Sequence, residues 1–170
     1  MIDIISLTLF NHYVLPAQPK SQHGHSNQFS IYRVIIVTVM SPHRLTLFGL
    51  VALGGALGAT LRYLISEWAI RTFGPNFPFG TLFANLIGSL VIGVLFGYAD
   101  TRAEFPTHLV TLLGVGLIGG FTTFSSYAYQ TVFLIENGQL PFALGNLILN
   151  TLPGLLLAAL GLYLGRLIPA

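Results

Sequence analysis

The amino-acid sequence predicts an all-α membrane protein with four transmembrane helices, the third of them broken in mid-membrane. Three observations carry this reading. Apolar residues make up 54% of the 170-residue chain and charged residues only 7%, against roughly 25% charged in ordinary soluble domains. From Leu45 onward the chain falls into four apolar stretches, each near the roughly 20 residues a bilayer helix needs. Within the third stretch, two adjacent glycines are followed by Thr-Thr and Ser-Ser, a poor helix interior.

The elements follow in order. Residues 1–40 differ from the rest: two short apolar runs, Ile2 to Phe10 and Ile31 to Val39, flank a stretch rich in His, Gln, Ser and Pro. The opening Met-Ile-Asp lacks the basic start of a signal peptide. These residues read as a flexible leader, or as one absent from a natural product that starts at Met40. The rival reading is an interfacial helix at residues 31–39. The four-helix transmembrane domain is expected at residues 41–170, with spans at about 45–69, 79–98, 107–135 and 142–167. The connector from Arg71 to Pro78 contains Gly74, Pro75 and Pro78, which stop helices. Asp100 to Pro106 forms a polar link, and Glu136-Asn-Gly138 with Pro141 marks the last connector. Connectors this short imply antiparallel neighbours with both termini on one side. Arg44, Arg102 and Arg166 then share the terminal side and Arg71 the other, a weak tilt toward cytoplasmic termini.

Polar residues inside hydrocarbon are costly, so those retained point to function. On the second span Thr81, Asn85 and Ser89 recur every four residues along one face. Beside them Gly80, Ala84 and Gly88 form a small-residue stripe that permits close helix approach. Asn85 reads equally as glue between helices. Asn146 and Asn150 lie four apart on the fourth span, with Gly154 next on that face. Pro153 can kink this span and free a carbonyl near Asn150.

The third span reads Gly116-Leu-Ile-Gly119-Gly-Phe-Thr122-Thr-Phe124-Ser125-Ser-Tyr127. Non-helical backbone at mid-membrane is tolerated only where protein or a polar cavity satisfies it. A break here exposes carbonyls able to bind a cation, and helix ends whose dipoles favour ions. Phe124 and Tyr127 are three apart, so they stack along one face about 4.5 Å apart. Aromatic edges are positive, so such a ladder can line an anion path.

Arg62 lies inside the first span. It reads either as an electrostatic lure for anions or as an anchor paired with Glu67 or a neighbouring carbonyl. Gly54 and Gly58 form a small-xxx-small pair suited to helix packing. Without cysteine there is no disulfide framework or thiol nucleophile. His23-Gly-His25 sits in the leader without a third ligand, and His108 stands alone, so hydrolytic chemistry has no candidate. The net charge of +2 and the pI near 9.2 reflect few acids rather than a basic patch, and nucleic-acid binding has no electrostatic basis.

Three motifs occur in order: Gly58-Ala-Thr-Leu-Arg62-Tyr63, Gly80-Thr-Leu-Phe-Ala-Asn85-Leu-Ile-Gly88 and Gly119-Gly-Phe-Thr-Thr-Phe124-Ser125. Together they closely resemble the Fluc (CrcB) family of bacterial and archaeal fluoride channels, over about residues 41–167. The resemblance implies an antiparallel dual-topology dimer in the cell (inner or plasma) membrane, with two narrow fluoride pores and a central, structural sodium ion. It implies that backbone carbonyls of Gly119 and Thr122 hold the sodium. Asn85, Phe124, Tyr127, Ser125 and Asn150 then line the fluoride path, and Arg62 is the vestibule or structural arginine of the first-helix motif. Two positions depart from the pattern: Tyr127 replaces the second pore phenylalanine, and Asn150 replaces a serine. The partner is a second copy of the chain or an oppositely oriented paralogue, since a three-to-one arginine bias sits uneasily with dual insertion. The expected function is passive fluoride export, without enzymatic chemistry. The runner-up is a small proton-coupled drug or cation exporter, which needs a mid-span carboxylate. A non-transporting assembly protein is the third class.

Overall fold

The computed structural model describes residues 42–169; the leader at residues 1–40, with its rival helix at 31–39 and the pair His23 and His25, lies outside them. The chain divides into two units at Gly49/Leu50. The described part of the first, residues 42–49, is the opening of a helix that continues into the second; the packing and the site below lie in the second.

Every element among the described residues is helical. Helix α1 is Pro42–Phe73 and α2 is Phe79–Asp100. Helix α3 spans residues 107–121: one turn at Thr107–Leu109, a π-helical stretch at Val110–Ile118 and a last turn at Gly119–Phe121. Helix α4 is Phe124–Glu136 and α5 is Leu140–Leu167. With α3 and α4 taken as one interrupted span, four segments are long and apolar enough to cross a membrane. The four expected spans are all present, and the third is broken.

The ends differ by a few residues, for reasons of backbone chemistry. Helix α1 continues past Ala69 to Phe73, where Gly74 at φ 81° donates its N–H to the Ile70 carbonyl at 2.9 Å. That left-handed conformation is the usual glycine helix stop. Helix α4 ends the same way at Gly138 (φ 72°): Gly138 N–H bonds Ile135 O and Gln139 N–H bonds Leu134 O, the paired pattern of a Schellman cap. Pro141, read in sequence as part of the connector, instead lies in the first turn of α5, where a missing N–H costs nothing.

Glycine decides which helices touch. Between α1 and α3, methyl groups placed on Gly54 and Gly58 would collide with the backbone of Leu112, Leu117, Gly120 and Phe121. Between α2 and α5, Gly93 and Gly97 oppose Gly161, Leu162 and Gly165, and a methyl on Gly161 would lie 3.0 Å from the Gly93 Cα. The Gly80–Ala84–Gly88 stripe faces elsewhere: Gly80 meets Ser66 of α1, and Gly88 meets Thr122 and Phe121 at the break. Because lipid supplies no hydrophobic drive between helices, such close backbone approach is a main source of association.

The bundle's two ends differ in chemistry. At the α1–α2 connector, Trp68, Phe73, Phe77, Phe79, Phe83 and Phe142 form an aromatic cluster with ring centroids 4.8–6.3 Å apart. At the opposite end Arg166 pairs with Asp100 at 2.9 Å. Arg102 there lies over the Tyr98 ring and donates to the Pro169 carbonyl at 2.6 Å.

Candidate functional site: a broken helix held by asparagine

The break occupies Thr122 and Thr123. Thr122 has an extended ψ of 159°, and Thr123 sits at φ −154°, ψ 119°. Thr122 closes α3, its N–H and its hydroxyl both donating to the Ile118 carbonyl at 3.0 and 3.1 Å. Thr123 opens α4 as its N-cap, its hydroxyl oxygen accepting from Ser126 N–H at 3.2 Å. The Thr-Thr pair is thus one helix stop followed by one helix start, and threonine suits the second role because its side chain satisfies an orphan N–H.

Thr123's N–H is left without a helical partner, whereas its carbonyl, as N-cap, already accepts the first bond of α4; Asn85 from α2 pairs with both groups. Its Oδ1 accepts from Thr123 N–H at 2.8 Å, and its Nδ2 donates to the Thr123 carbonyl at 3.1 Å. An amide side chain here does what a neighbouring β-strand would do. The other Nδ2 hydrogen of Asn85 goes to Asn150 Oδ1 on α5, at 2.9 Å. Asn150 Nδ2 donates back to Asn146 Oδ1 at 2.8 Å and to the Asn146 carbonyl at 3.1 Å. Asn146 is fully buried and donates to the Thr131 hydroxyl at 2.8 Å.

Two carbonyls at the break lose their helical donors to these side chains. The donor for Gly119 O in an unbroken helix would be Thr123 N–H, which Asn85 takes. For Thr122 O it would be Ser126 N–H, which the Thr123 hydroxyl takes. A methyl on Gly119 would meet only the Gly114 carbonyl, at 3.6 Å, and the residue is exposed. Phe124 is 65% exposed and Ser125 is also exposed. The Phe124 and Tyr127 rings are stacked edge to face, their centroids 5.6 Å apart.

Two readings left open by the sequence now have geometry. Arg62 donates through Nε to the Gly120 carbonyl at 3.2 Å, so it ties α1 to the last turn before the break. Glu67 pairs instead with Arg71 at 3.5 Å. Helix α5 runs through Pro153, which has no N–H for the Leu149 carbonyl. The Tyr127 hydroxyl points to α5, 3.4 Å from the Thr151 hydroxyl.

Some site features had no sequence signal. Val110–Ile118 contains no proline and no polar insertion beyond Thr111, yet it is π-helical, with Gly119 N–H reaching back to the Gly114 carbonyl; such segments often sit at functional sites. Gln130 carries no sequence signal either. Its Oε1 is buried without a partner beside a cavity of about 310 Å³ lined by Ser66, Thr81 and Phe77.

Four apolar spans around a broken third helix, its ends held by amides from two neighbouring helices, define a multi-pass membrane protein built around a polar interruption. Comparison with known proteins narrows this class. The model of the CrcB-like family, described as Camphor Resistance (CrcB), matches residues 49–162, and the chain belongs to that family. It is 42% identical over 125 residues to the "Fluoride-specific ion channel FluC" of Clostridium perfringens, covering 74% of this chain and 98% of the relative. The protein of that name from Dehalococcoides mccartyi is 40% identical over 70% of this chain and 92% of its own length. That from Anaeromyxobacter sp. is 47% identical over 65% and 86%.

Proposed function

We propose that this chain conducts fluoride passively across a cell membrane and thereby lowers fluoride toxicity, acting as an antiparallel, dual-topology dimer. The relatives' shared name supports the ion. The observation that carries the reading is the break itself, with Gly119, Phe124 and Ser125 exposed around it in a single copy. Non-helical backbone facing lipid is not tolerated, so another protein surface or a polar cavity has to cover it. A second copy of the chain is the simplest cover, and an oppositely oriented paralogue would serve equally.

The residues at the break fit a structural sodium ion held at the centre of that pair. Sodium takes oxygen ligands, and the Gly119 and Thr122 carbonyls are two at the break whose helical donors are taken by side chains. When bound, the ion would add positive potential to the middle of the membrane. The fluoride path runs beside it along the edges of Phe124 and Tyr127 and the Ser125 hydroxyl. Asn85 and Asn150 reach that path only by exchanging a hydrogen bond they already make. Fluoride sheds water on entry, so donors and ring edges must replace it. Arg62, tied to Gly120, sets the α1 side of the break and keeps a positive charge near it.

The exporter reading has no support in the site. Glu67 and Asp100 lie in ion pairs near helix ends, and Glu104 and Glu136 lie in or beside connectors. Purified protein in liposomes, loaded with fluoride or chloride and opened with a potassium ionophore, tests the proposal. Fluoride should leave rapidly and chloride should stay; equal efflux of both, or of neither, would end the channel reading.

A further inference from the structure

We propose that Asn146 is a positioning residue for conduction: it sets the donor–acceptor direction of the amide chain that holds the break. The proposal rests on the channel reading above. Read from the break outward, every link donates in one direction. Thr123 N–H donates to Asn85 Oδ1, Asn85 Nδ2 to Asn150 Oδ1, and Asn150 Nδ2 to Asn146 Oδ1. Asn146 Nδ2 then donates to the Thr131 hydroxyl, which donates to the Tyr127 carbonyl at 2.8 Å.

Both ends of this chain are fixed by backbone. Thr123 N–H can only donate and the Tyr127 carbonyl can only accept. Each amide between them therefore has one allowed orientation, because turning any one would set two donors or two acceptors face to face. The chain leaves α2 for α5 and returns to α4 one turn beyond the break. It thereby clips the start of α4 to the residue that satisfies Thr123. Asn146 is its least exposed member, at 0%, and it touches none of the groups at the break itself. Hydrogen bonds in series in a low-dielectric interior reinforce one another, so loosening the far end weakens the grip of Asn85 on Thr123.

The test uses the full chain in liposomes, with flux normalised to assembled protein. Asn146→Leu removes both amide links. Thr131→Val removes only the hydroxyl relay to the Tyr127 carbonyl, leaves the long direct contact of Asn146 Nδ2 with that carbonyl at 3.5 Å, and nearly keeps its volume, so it remains informative if the first variant fails to assemble. Asn146→Leu should slow fluoride efflux about tenfold and Thr131→Val about threefold, as expected for losing one or two buried links. The decisive comparison is Asn150→Leu alone against Asn146→Leu/Asn150→Leu. A positioning role acts through Asn150, so the double variant should be no slower than Asn150→Leu within about twofold. Losses that multiply, or wild-type efflux from both Asn146→Leu and Thr131→Val, overturn the proposal and leave the channel reading standing. A wild-type chain that carries no fluoride overturns both.

Discussion

Asn85 shows how much one side chain can ask of its neighbours. It satisfies the N–H and the carbonyl of Thr123, and in doing so it leaves the Gly119 carbonyl bare. Its position on a polar face of α2 was legible as a period of four; the partner was not, because the two residues are 38 apart in sequence. Replacing Asn85 with leucine leaves the buried Thr123 N–H unpaired, at about 1–3 kcal/mol, and removes the second bond of the Thr123 carbonyl. A large loss of thermal stability in detergent should follow, together with a loss of any protection that sodium gives over a large organic cation. Unchanged melting in both salts would show that the break does not depend on this amide. Tyr127 invites the opposite expectation. Its hydroxyl makes one long contact with Thr151, so Tyr127→Phe should change stability by less than about 1 kcal/mol. Fluoride efflux should persist, because the ring beside Phe124 remains. Abolished efflux would assign the hydroxyl a role in the path.

At the scale of elements, hydropathy located the four spans because a bilayer imposes length and apolarity on any helix that crosses it. The break was legible for a related reason: Gly-Gly followed by four hydroxyl residues has no use in a continuous lipid-facing helix. The π-helical run before it was not legible, since Val110–Ile118 is ordinary apolar sequence and its geometry arises in tertiary packing. Nor do neighbouring glycines announce which of them faces a helix. Gly54 presses on the backbone of α3, whereas a methyl on Gly55 would meet nothing within 4 Å. Gly54→Ala should therefore cost about 1–3 kcal/mol through separation of α1 from α3, while Gly55→Ala should be neutral or slightly stabilising through helix propensity. Unfolding of the two variants in parallel checks this, and equal effects would contradict the assigned α1–α3 contact.

At the scale of the whole molecule, the question is how a single chain enters the membrane. Arginines decide orientation when they are numerous, and here they are few and already engaged. Arg166 is paired with Asp100, Arg71 with Glu67, and Arg102 caps the Tyr98 carbonyl and reaches Pro169. Pairing does not cancel the rule, which counts Lys and Arg rather than net charge. The bias is three arginines against one, and the proposed dual insertion requires that so small a bias leave both orientations open. The chain has no cysteine, so a single engineered thiol reports orientation cleanly. Asn76 and Glu104 are exposed in connectors at opposite ends of the bundle. In cells expressing only this chain, an impermeant thiol reagent should label Asn76→Cys and Glu104→Cys each to about half, since each orientation presents one of the two sites outward. Complete labelling of one variant and none of the other would show a single orientation. The antiparallel partner covering the break would then have to be a different chain.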